Sequence, residues 1–200
     1  MSIRYSERLE ANMFFVFAPQ TNQLLAQVTG AFDILELNII EARLQLSSNG
    51  FALYSFNAVV PSPESAKKDD YMQFLEREMR NLILENDGNK SVTRRNASRA
   101  LKHFPIEPRI NFSFNQPNYT TMEVVAQDQP GLLHKVAKIL AEHNLMLSSA
   151  RIATFGERVE DIFYVQHHNH SQVTEESVLN SLREQIHDAL NSQTQKSKTL

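Results

Sequence analysis

Residues 126–136, AQDQPGLLHKV, repeat residues 18–28, APQTNQLLAQV, without a gap. A shift of 108 residues keeps the two copies in phase as far as Arg43, and identical residues fall together at seven positions. The identical pairs are Ala18/Ala126, Leu24/Leu132, Leu25/Leu133, Val28/Val136, Leu37/Leu145, Ala42/Ala150 and Arg43/Arg151. The first copy then has one extra residue within 47–50, after which Phe56 falls on Phe163. Because solenoid repeats are only roughly 20 to 50 residues long, this period indicates two copies of one small domain.

Both copies begin with a short apolar run followed by apolar residues at helical spacing. The runs Met13–Ala18 and Met122–Ala126 are bounded by turn residues and predict buried strands. The stripe after each run recurs at steps of three and four residues, which predicts a helix with one buried face. Its members are Leu24, Leu25, Val28, Ala31, Phe32 and Leu35 in the first copy, and Leu132, Leu133, Val136, Ile139 and Leu140 in the second.

Two more strands and a second helix are predicted in each copy. Apolar and polar residues first alternate, as in a strand of a sheet with one exposed face. Turn-forming residues then lead into a second β-prone segment, and helical periodicity returns after it. These segments are 40–46, 51–60 and about 68–84 in the first copy, and 148–154, 159–167 and about 174–190 in the second.

The predicted order of elements in each copy defines the fold class. The order β-α-β-β-α is most of a ferredoxin-like unit, βαββαβ, in which helices cover one face of an antiparallel sheet. We therefore predict an α+β protein of two such units. The second unit's edge strand is expected upstream, because Arg109–Phe114 alternates and Gln116–Asn118 can turn it back into the next strand. The predicted boundaries are a first domain at 10–87, a basic connector at 88–108, a second domain at 109–191 and a disordered tail at 192–200.

Composition narrows the class of protein. Hydrophobic residues make up 42% of the chain and charged residues 22%, as in soluble globular proteins. The formal net charge of −3 gives no sign of a nucleic-acid or anionic-membrane partner. The chain has no cysteine, which excludes disulfides, thiolate nucleophiles and cysteine-based zinc sites. Neither a signal peptide nor a membrane-length apolar run is visible, so we expect a cytoplasmic location.

The best local sign of ligand binding is DQPGLL at 128–133, between a predicted strand and a predicted helix. Pro130 suits a first helical position, Asp128 can cap the helix, and Gly131 lets a ligand approach the backbone closely. Free amides at the helix start would suit a carboxylate. The same residues also fit a simple capped helix start.

The corresponding loop of the first copy lacks both proline and glycine. It reads Gln20, Thr21, Asn22 and Gln23, of which Thr21 or Asn22 can cap the helix. If both loops bind a ligand, the first is therefore expected to be the weaker site.

Two clusters of polar residues invite a chemical interpretation, but a structural one fits them better. His167, His168 and His170 end a strand, with His187 downstream, yet no carboxylate lies among them to complete a metal site. The segment Gly156–Asp161 contains acids that could exchange protons or hold a metal. Because adjacent strand residues face apart, a charged hairpin is the better interpretation.

A basic stretch lies between the two copies. Lys90, Arg94, Arg95, Arg99 and Lys102 could contact phosphates, but a solvated connector explains them better. The sequence contains no phosphate-binding glycine loop, no zinc-protease motif and no serine-hydrolase motif. We therefore expect no catalysis within these 200 residues.

Residues 124–165, VVAQDQPGLLHKVAKILAEHNLMLSSARIATFGERVEDIFYV, resemble the last ACT domain of the bifunctional PII uridylyltransferase/uridylyl-removing enzymes. Residues 101–104 and the strand after them share the likeness, which covers both repeats over roughly residues 10–190. The pattern DxPGLL is common to many ACT domains. ARIAT followed by GERVEDxF is more particular to this family.

The resemblance implies a function. Two tandem ACT domains would form the regulatory end of such an enzyme, bind glutamine, and bias the enzyme between adding UMP to the PII signalling protein and removing it. The implied partners are glutamine, PII and the catalytic domains, together with an edge-to-edge pairing of ACT units in one chain or in a dimer. The catalytic metal motifs of the family are absent from this sequence, so no cofactor is expected here, and Mg²⁺ would belong to the catalytic domains.

The resemblance also assigns site residues. The effector loop would be Asp128, Gln129, Pro130, Gly131, Leu132 and Leu133, and the start of the next strand, facing the effector, would be Leu145, Met146 and Leu147. The first copy departs from the family at Tyr54, where an acidic residue is expected, and in its loop. Two alternatives remain: a free-standing ACT-repeat protein that senses another amino acid, and an interaction module without a small ligand.

Overall fold

A computed structural model describes residues 1–47, 49–62, 64–85, 106–129, 131–152, 154–155 and 158–191. The first half contains β1 (Ser2–Ser6), β2 (Ala11–Pro19), α1 (Leu24–Ile34), β3 (Asn38–Leu46), β4 (Phe51–Val59) and α2 (Asp69–Glu85). The second half contains β5 (Arg109–Ser113), β6 (Thr120–Gln127), α3 (Leu132–Glu142), β7 (Met146–Arg151), β8 (Thr154–Phe155), β9 (Arg158–Gln166) and α4 (Glu176–Asn191). The α+β ferredoxin-like class predicted from the sequence is confirmed.

Alternation along the strands selects the residues that enter the core. In β4 every second side chain is buried, and the buried ring of Phe56 lies 4.8 Å from that of Phe32 in α1. The Phe32 ring lies a further 4.8 Å from that of Phe14 in β2, so three rings fill the first half of the core. The equivalent positions in the second half are Met122, Leu140 and Phe163, which are also buried. The repeated pattern therefore builds two similar halves of one continuous core.

In each unit the edge strand comes first in the sequence rather than last. Strand β1 pairs with β2 and strand β5 pairs with β6, both antiparallel, so the order in each half is ββαββα. The upstream edge strand predicted at Arg109–Phe114 is thus present. Strand β1 was not predicted, and it carries the first unit upstream of residue 10. The spatial order remains ferredoxin-like, because a strand at the front of the unit reaches the same edge beside the first core strand.

The two halves share one sheet. The strand order is β1-β2-β4-β3-β7-β9-β6-β5, with β8 beside β9. Strands β3 and β7 meet antiparallel at the centre, where Ala42 is paired with Ala150, its own equivalent in the repeat. Both strands have a register shift at the same repeat position, around Ile40 in β3 and Ser148 in β7. The halves are therefore related by an approximate two-fold axis that passes through this pairing.

The helices form a single layer, in which α1 contacts α2 and α3, and α3 contacts α4. The predicted stripe of each copy is buried in α1 and α3, except Leu35, which follows α1 and is only partly buried. Both helices also bury residues outside the stripe, namely Ala26, Thr29 and Gly30 in α1, and His134 and Ala137 in α3. None of the helices in the described part of the chain combines the length and the apolar character needed to cross a membrane. Residues 88–105 of the predicted basic connector and the whole of the predicted tail lie outside the described residues.

Candidate functional site

The glycine of the second-half loop adopts the conformation that makes glycine necessary there. Gly131 precedes α3 with φ of +76°, in the left-handed region that side chains disfavour. A Cβ atom at this position would lie only 2.9 Å from Oδ2 of Asp33, which belongs to α1 of the other half. The space left by the missing side chain is therefore occupied by a carboxylate. Pro130 lies outside the described residues.

Side chains of the second-half loop are engaged with the end of α4. Gln129 Nε2 donates to the Leu190 carbonyl at 3.2 Å, and Lys135 Nζ donates to Gln129 Oε1 at 2.7 Å. Lys135 Nζ also donates to the Ala189 carbonyl at 3.0 Å. Burial lowers the pKa of Lys135, and the charge of Asp33 opposes that shift. The loop is thus tied to its own half through Gln129.

The other described residues predicted for this loop are Asp128, Leu132 and Leu133, and they pack against the protein itself. Burial raises the pKa of Asp128, which a backbone hydrogen bond from Gln129 partly offsets. The side chains of Leu132 and Leu133 are buried in the core. They support the helix rather than line a surface.

A small cavity lies where the other loop meets the second half. The first half contributes Gln20, Thr21, Asn22, Leu25, Leu44 and Tyr54. The second half contributes Ala137, Leu140, Leu145, Met146 and Leu147. The structure therefore brings Leu145, Met146 and Leu147 together with the loop that was expected to be weaker. The cavity has a volume of about 20 Å³, which suits roughly one water molecule. An amino acid can therefore enter it only after side chains move.

Contacts between the halves close this cavity. Gln20 Nε2 lies 2.7 Å from the Met146 sulfur, and the Asn22 side-chain amide donates to the Asn144 side-chain oxygen. Gln23, the fourth residue predicted in this loop, precedes α1 in a right-handed helical conformation and its side chain caps nothing. All the bridging groups are neutral amides and a thioether, and thioether sulfur is a weak acceptor.

Tyr54 and Asp161 are equivalent residues with different chemistry. Tyr54 is paired with Val16 in the sheet, and Asp161 is paired with Val124, which is the repeat equivalent of Val16. Both side chains are buried, with 3% and 2% of their surfaces exposed. Sequence comparison marked Tyr54 only as a departure from the family. The structure makes it part of the cavity wall.

The structure does not bring the predicted histidines and the acids of the charged hairpin together into one site. His167 Nε2 lies 3.2 Å from Glu175 Oε2, whereas His170 Nδ1 lies 3.1 Å from Gln166 Nε2. Among the described residues, no group of three or more histidine, aspartate or glutamate side chains is arranged to hold a metal ion. In the charged hairpin, Arg158 pairs with Glu160 at 2.8 Å on the surface. Residues 156 and 157, and the basic stretch from Lys90 to Lys102, lie outside the described residues.

A larger, open hollow of about 390 Å³ lies beside the free edge of β5. Arg183 of α4 crosses it, with its guanidinium 5.3 Å from the Phe112 ring centre and its Nε 3.4 Å from the Ile110 carbonyl oxygen. A charged side chain over an exposed strand edge discourages pairing with other chains. Arg183 therefore places a positive charge beside the free edge of β5.

The fold and the match to a family model define the class of protein. Residues 120–190 match the family model of the ACT domain, so the second half of this chain is an ACT domain. The first half has the same order of elements and pairs with it edge to edge.

Two curated relatives show where such a region occurs. The chain is 33% identical, over 86% of its length, to the bifunctional uridylyltransferase/uridylyl-removing enzyme of Pseudomonas savastanoi pv. phaseolicola. It is 31% identical, over 91% of its length, to the enzyme of the same name from Psychrobacter cryohalolentis. The similarity covers 19% and 20% of those proteins, so the chain spans about a fifth of their length and matches their ACT-containing C-terminal region.

Among solved structures, the regulatory subunit of aspartate kinase from Thermus thermophilus aligns with 90% of this chain and 91% of its own. The sequence identity is 13% and the TM-score is 0.28, a partial superposition from which nothing further follows.

Proposed function

We propose that this chain is a glutamine-sensing regulatory region that controls the uridylylation and deuridylylation of PII protein by catalytic domains of the uridylyltransferase/uridylyl-removing type. The observation that carries the proposal is the cavity between the halves, whose lining comes from both. A ligand held there contacts two units at once, so its binding energy depends on their relative placement. Differential affinity of this kind is what allows a ligand to shift an equilibrium between two arrangements.

The size of the expected effect follows from general allosteric energetics. Coupling free energies between sites are typically about 1–3 kcal/mol, which corresponds to roughly five- to 150-fold changes in an equilibrium. In an enzyme that joins this chain to nucleotidyltransferase and hydrolase domains, glutamine should change the balance of the two activities on PII within that range. Any Mg²⁺ would act in those catalytic domains, and the cytoplasm is the proposed compartment.

Calorimetric titration of the chain with a panel of amino acids tests the sensing role. Glutamine should bind with a dissociation constant below the millimolar range, and heat from another amino acid alone would instead support a sensor of that ligand. Failure of every amino acid to bind at millimolar concentration would reject a small-molecule sensor. A purely protein-docking module would then be the better description, to be tested by binding of PII to the same chain.

A further inference from the structure

We propose that two copies of this chain pack face to face, through the uncovered side of the sheet in the first half, and form a two-fold dimer. The described helices lie in one layer on one side of the sheet, so its other side has no helix against it in the described part of the chain. The inference goes beyond the proposed function and does not depend on the binding of an amino acid.

The strand register identifies the side chains on the uncovered side. Phe14 of β2 and Phe56 of β4 are paired, and both point into the core. Residues at odd steps from them point to the opposite side. The apolar residues of that side, here called the apolar strip, are Met13, Phe15 and Phe17 from β2, and Phe51 and Leu53 from β4. Phe17 is 60% exposed, and its ring is stacked on that of Phe51 with 5.0 Å between centres.

The second half shows that the fold does not require apolar residues at these places. The pairing of β6 with β9 repeats the pairing of β2 with β4, so each residue of the strip has an equivalent. Glu123 stands in place of Phe15, Arg158 in place of Phe51 and Glu160 in place of Leu53. Arg158 and Glu160 form a surface ion pair. An exposed apolar area with a polar border is typical of an interaction surface, and here only the first half has one.

The border of the apolar strip carries opposite charges on its two sides. One row of paired residues crosses four strands: Arg4 of β1, Met13 of β2, Asn57 of β4 and Glu41 of β3. A two-fold axis parallel to the strands, midway between β2 and β4, reverses this row in a second copy stacked on the first. Arg4 of each copy then meets Glu41 of the other copy. The face is therefore complementary to itself, as a two-fold contact requires.

The same two-fold arrangement also brings apolar residues together. Phe17 is paired with Leu53 in the sheet, so reversal of their row places Phe17 of one copy against Leu53 of the other. Inner faces of stacked sheets lie about 10 Å apart, a distance that side chains of this size fill. Burial of the strip therefore supplies the affinity of the dimer.

The charges at the two ends of the row have different surroundings. Glu41 accepts hydrogen bonds from Arg43 and Asn57 of its own copy, at 2.8 and 2.7 Å, which hold its carboxylate in place. Arg4 is exposed, and no acid in the described part of the chain forms an ion pair with it. Exposed ion pairs contribute little free energy, so contact between Arg4 and Glu41 fixes the orientation of the copies more than their affinity.

The size of the face sets the expected strength of the dimer. Strands β2, β3 and β4 have nine residues each and β1 has five. With strands about 4.8 Å apart and a rise of about 3.3 Å per residue, the face measures roughly 19 by 30 Å. Two such faces bury on the order of 1,000 Å² in total, slightly less than most stable interfaces. A dimer that dissociates in the micromolar range is therefore expected.

Sedimentation velocity of the whole chain, from low micromolar to several hundred micromolar concentration, tests the inference. Wild type should change from monomer to dimer over this range. Phe15→Glu should raise the dissociation constant more than about 100-fold, because the dimer would bury two unpaired carboxylates. Val125→Glu is the matched control, since Val125 lies on the same side of the sheet in the second half, beside Arg109. It should dimerise like wild type.

Two charge variants test the orientation separately from the apolar strip. Arg4→Glu should raise the dissociation constant about three- to tenfold, because like charges then meet at both ends of the row. Arg4→Glu combined with Glu41→Arg restores opposite charges and should return the dissociation constant to within about threefold of the wild-type value. Thermal melting shows which variants are folded, and if Phe15→Glu is not, the charge variants decide the question.

Four results would overturn the inference. Wild type that stays monomeric over the whole range would leave the strip to another domain or protein. A dimer that survives Phe15→Glu, equal weakening by Val125→Glu, or a double charge variant no tighter than Arg4→Glu would place the contact elsewhere. Calorimetry with glutamine on the same samples keeps the two proposals apart, because a monomer that binds glutamine contradicts only the dimer, and a dimer that binds no amino acid contradicts only the sensor.

Discussion

At the scale of single residues, two glycines share a backbone conformation and differ in their surroundings. Gly131 and Gly50 have φ of +76° and +80°. A Cβ on Gly131 would lie 2.9 Å from Asp33 Oδ2, whereas a Cβ on Gly50 would meet nothing within 4 Å. The pair therefore separates backbone strain from crowding by the opposite half.

Substitution of each glycine by alanine measures the two contributions. Gly50→Ala should lower the free energy of unfolding by about 1–2 kcal/mol, because only the left-handed conformation is penalised. Gly131→Ala should lower it by about 1 kcal/mol more, because the Asp33 carboxylate must also be displaced. Denaturant unfolding of both variants measures the difference. Equal losses would mean that Asp33 moves aside freely and that the carboxylate does not restrict the loop.

At the scale of elements, both halves have an equivalent hydrogen bond from a strand side chain to the backbone before the last helix, made by different residues. Asn12 in β2 donates through Nδ2 to the Ala66 carbonyl at 2.8 Å, in the segment before α2. Its equivalent, Thr120 in β6, donates to the Val173 carbonyl at 2.9 Å and accepts from the Val173 amide at 3.0 Å, before α4. Each of these hydrogen bonds joins a strand of the sheet to the segment that precedes the last helix of the unit.

Removing this hydrogen bond should lower the free energy of unfolding more in the second half than in the first. Thr120→Val leaves a buried carbonyl and a buried amide of Val173 unpaired, which should lower the free energy of unfolding by about 1–3 kcal/mol. Asn12→Leu should lower it less, because Asn12 Oδ1 is buried and has no hydrogen-bond partner among the described residues. Thr121→Val, on the opposite face of β6, is the matched control and should have little effect. A larger loss for Asn12→Leu than for Thr120→Val would contradict this account.

At the scale of the whole molecule, a histidine joins the two halves near their approximate two-fold axis. His134 of α3 is buried, and its Nδ1 lies 2.9 Å from the carbonyl oxygen of Ala26, its own equivalent in α1. Burial lowers the pKa of His134, the Ala26 hydrogen bond opposes that shift, and the charge of Lys138 adds to it. The contact between α1 and α3 therefore favours the neutral form of the His134 imidazole.

The stability of the joint should depend on pH in a defined direction. Because the pKa of His134 is lower in the folded protein than the ordinary value of 6.5, protonation favours unfolding. The contribution of His134 is therefore complete above pH 6.5 and is lost as the pH falls through the lowered folded pKa. Thermal melting between about pH 8 and pH 5 should show a smaller acid-side loss for His134→Gln than for wild type. The exposed His168→Gln is the control, and identical profiles for all three proteins would contradict the assignment.

The sequence predicted the elements better than their surroundings. Helices α1 and α3 and most of the strands followed from apolar periods, because a period of two or 3.6 residues fixes which face of an element is buried. Strand β1, with the sequence SIRYS, was missed because five residues give too short a pattern. Its place is fixed by pairing with β2, which local sequence does not reveal.

The candidate site shows the same division. The repeat in the sequence was sufficient to establish two equivalent α/β units and to single out their helix-start loops, because those features are written in residues close together in the chain. Only the tertiary structure decided that Leu145–Leu147 faces Gln20–Asn22 and that Asp33 faces Gly131. These contacts join residues far apart in sequence, which the antiparallel meeting of β3 and β7 brings together. Periodicity specifies which side chains point inward, but the packing of one unit on the other determines what they meet.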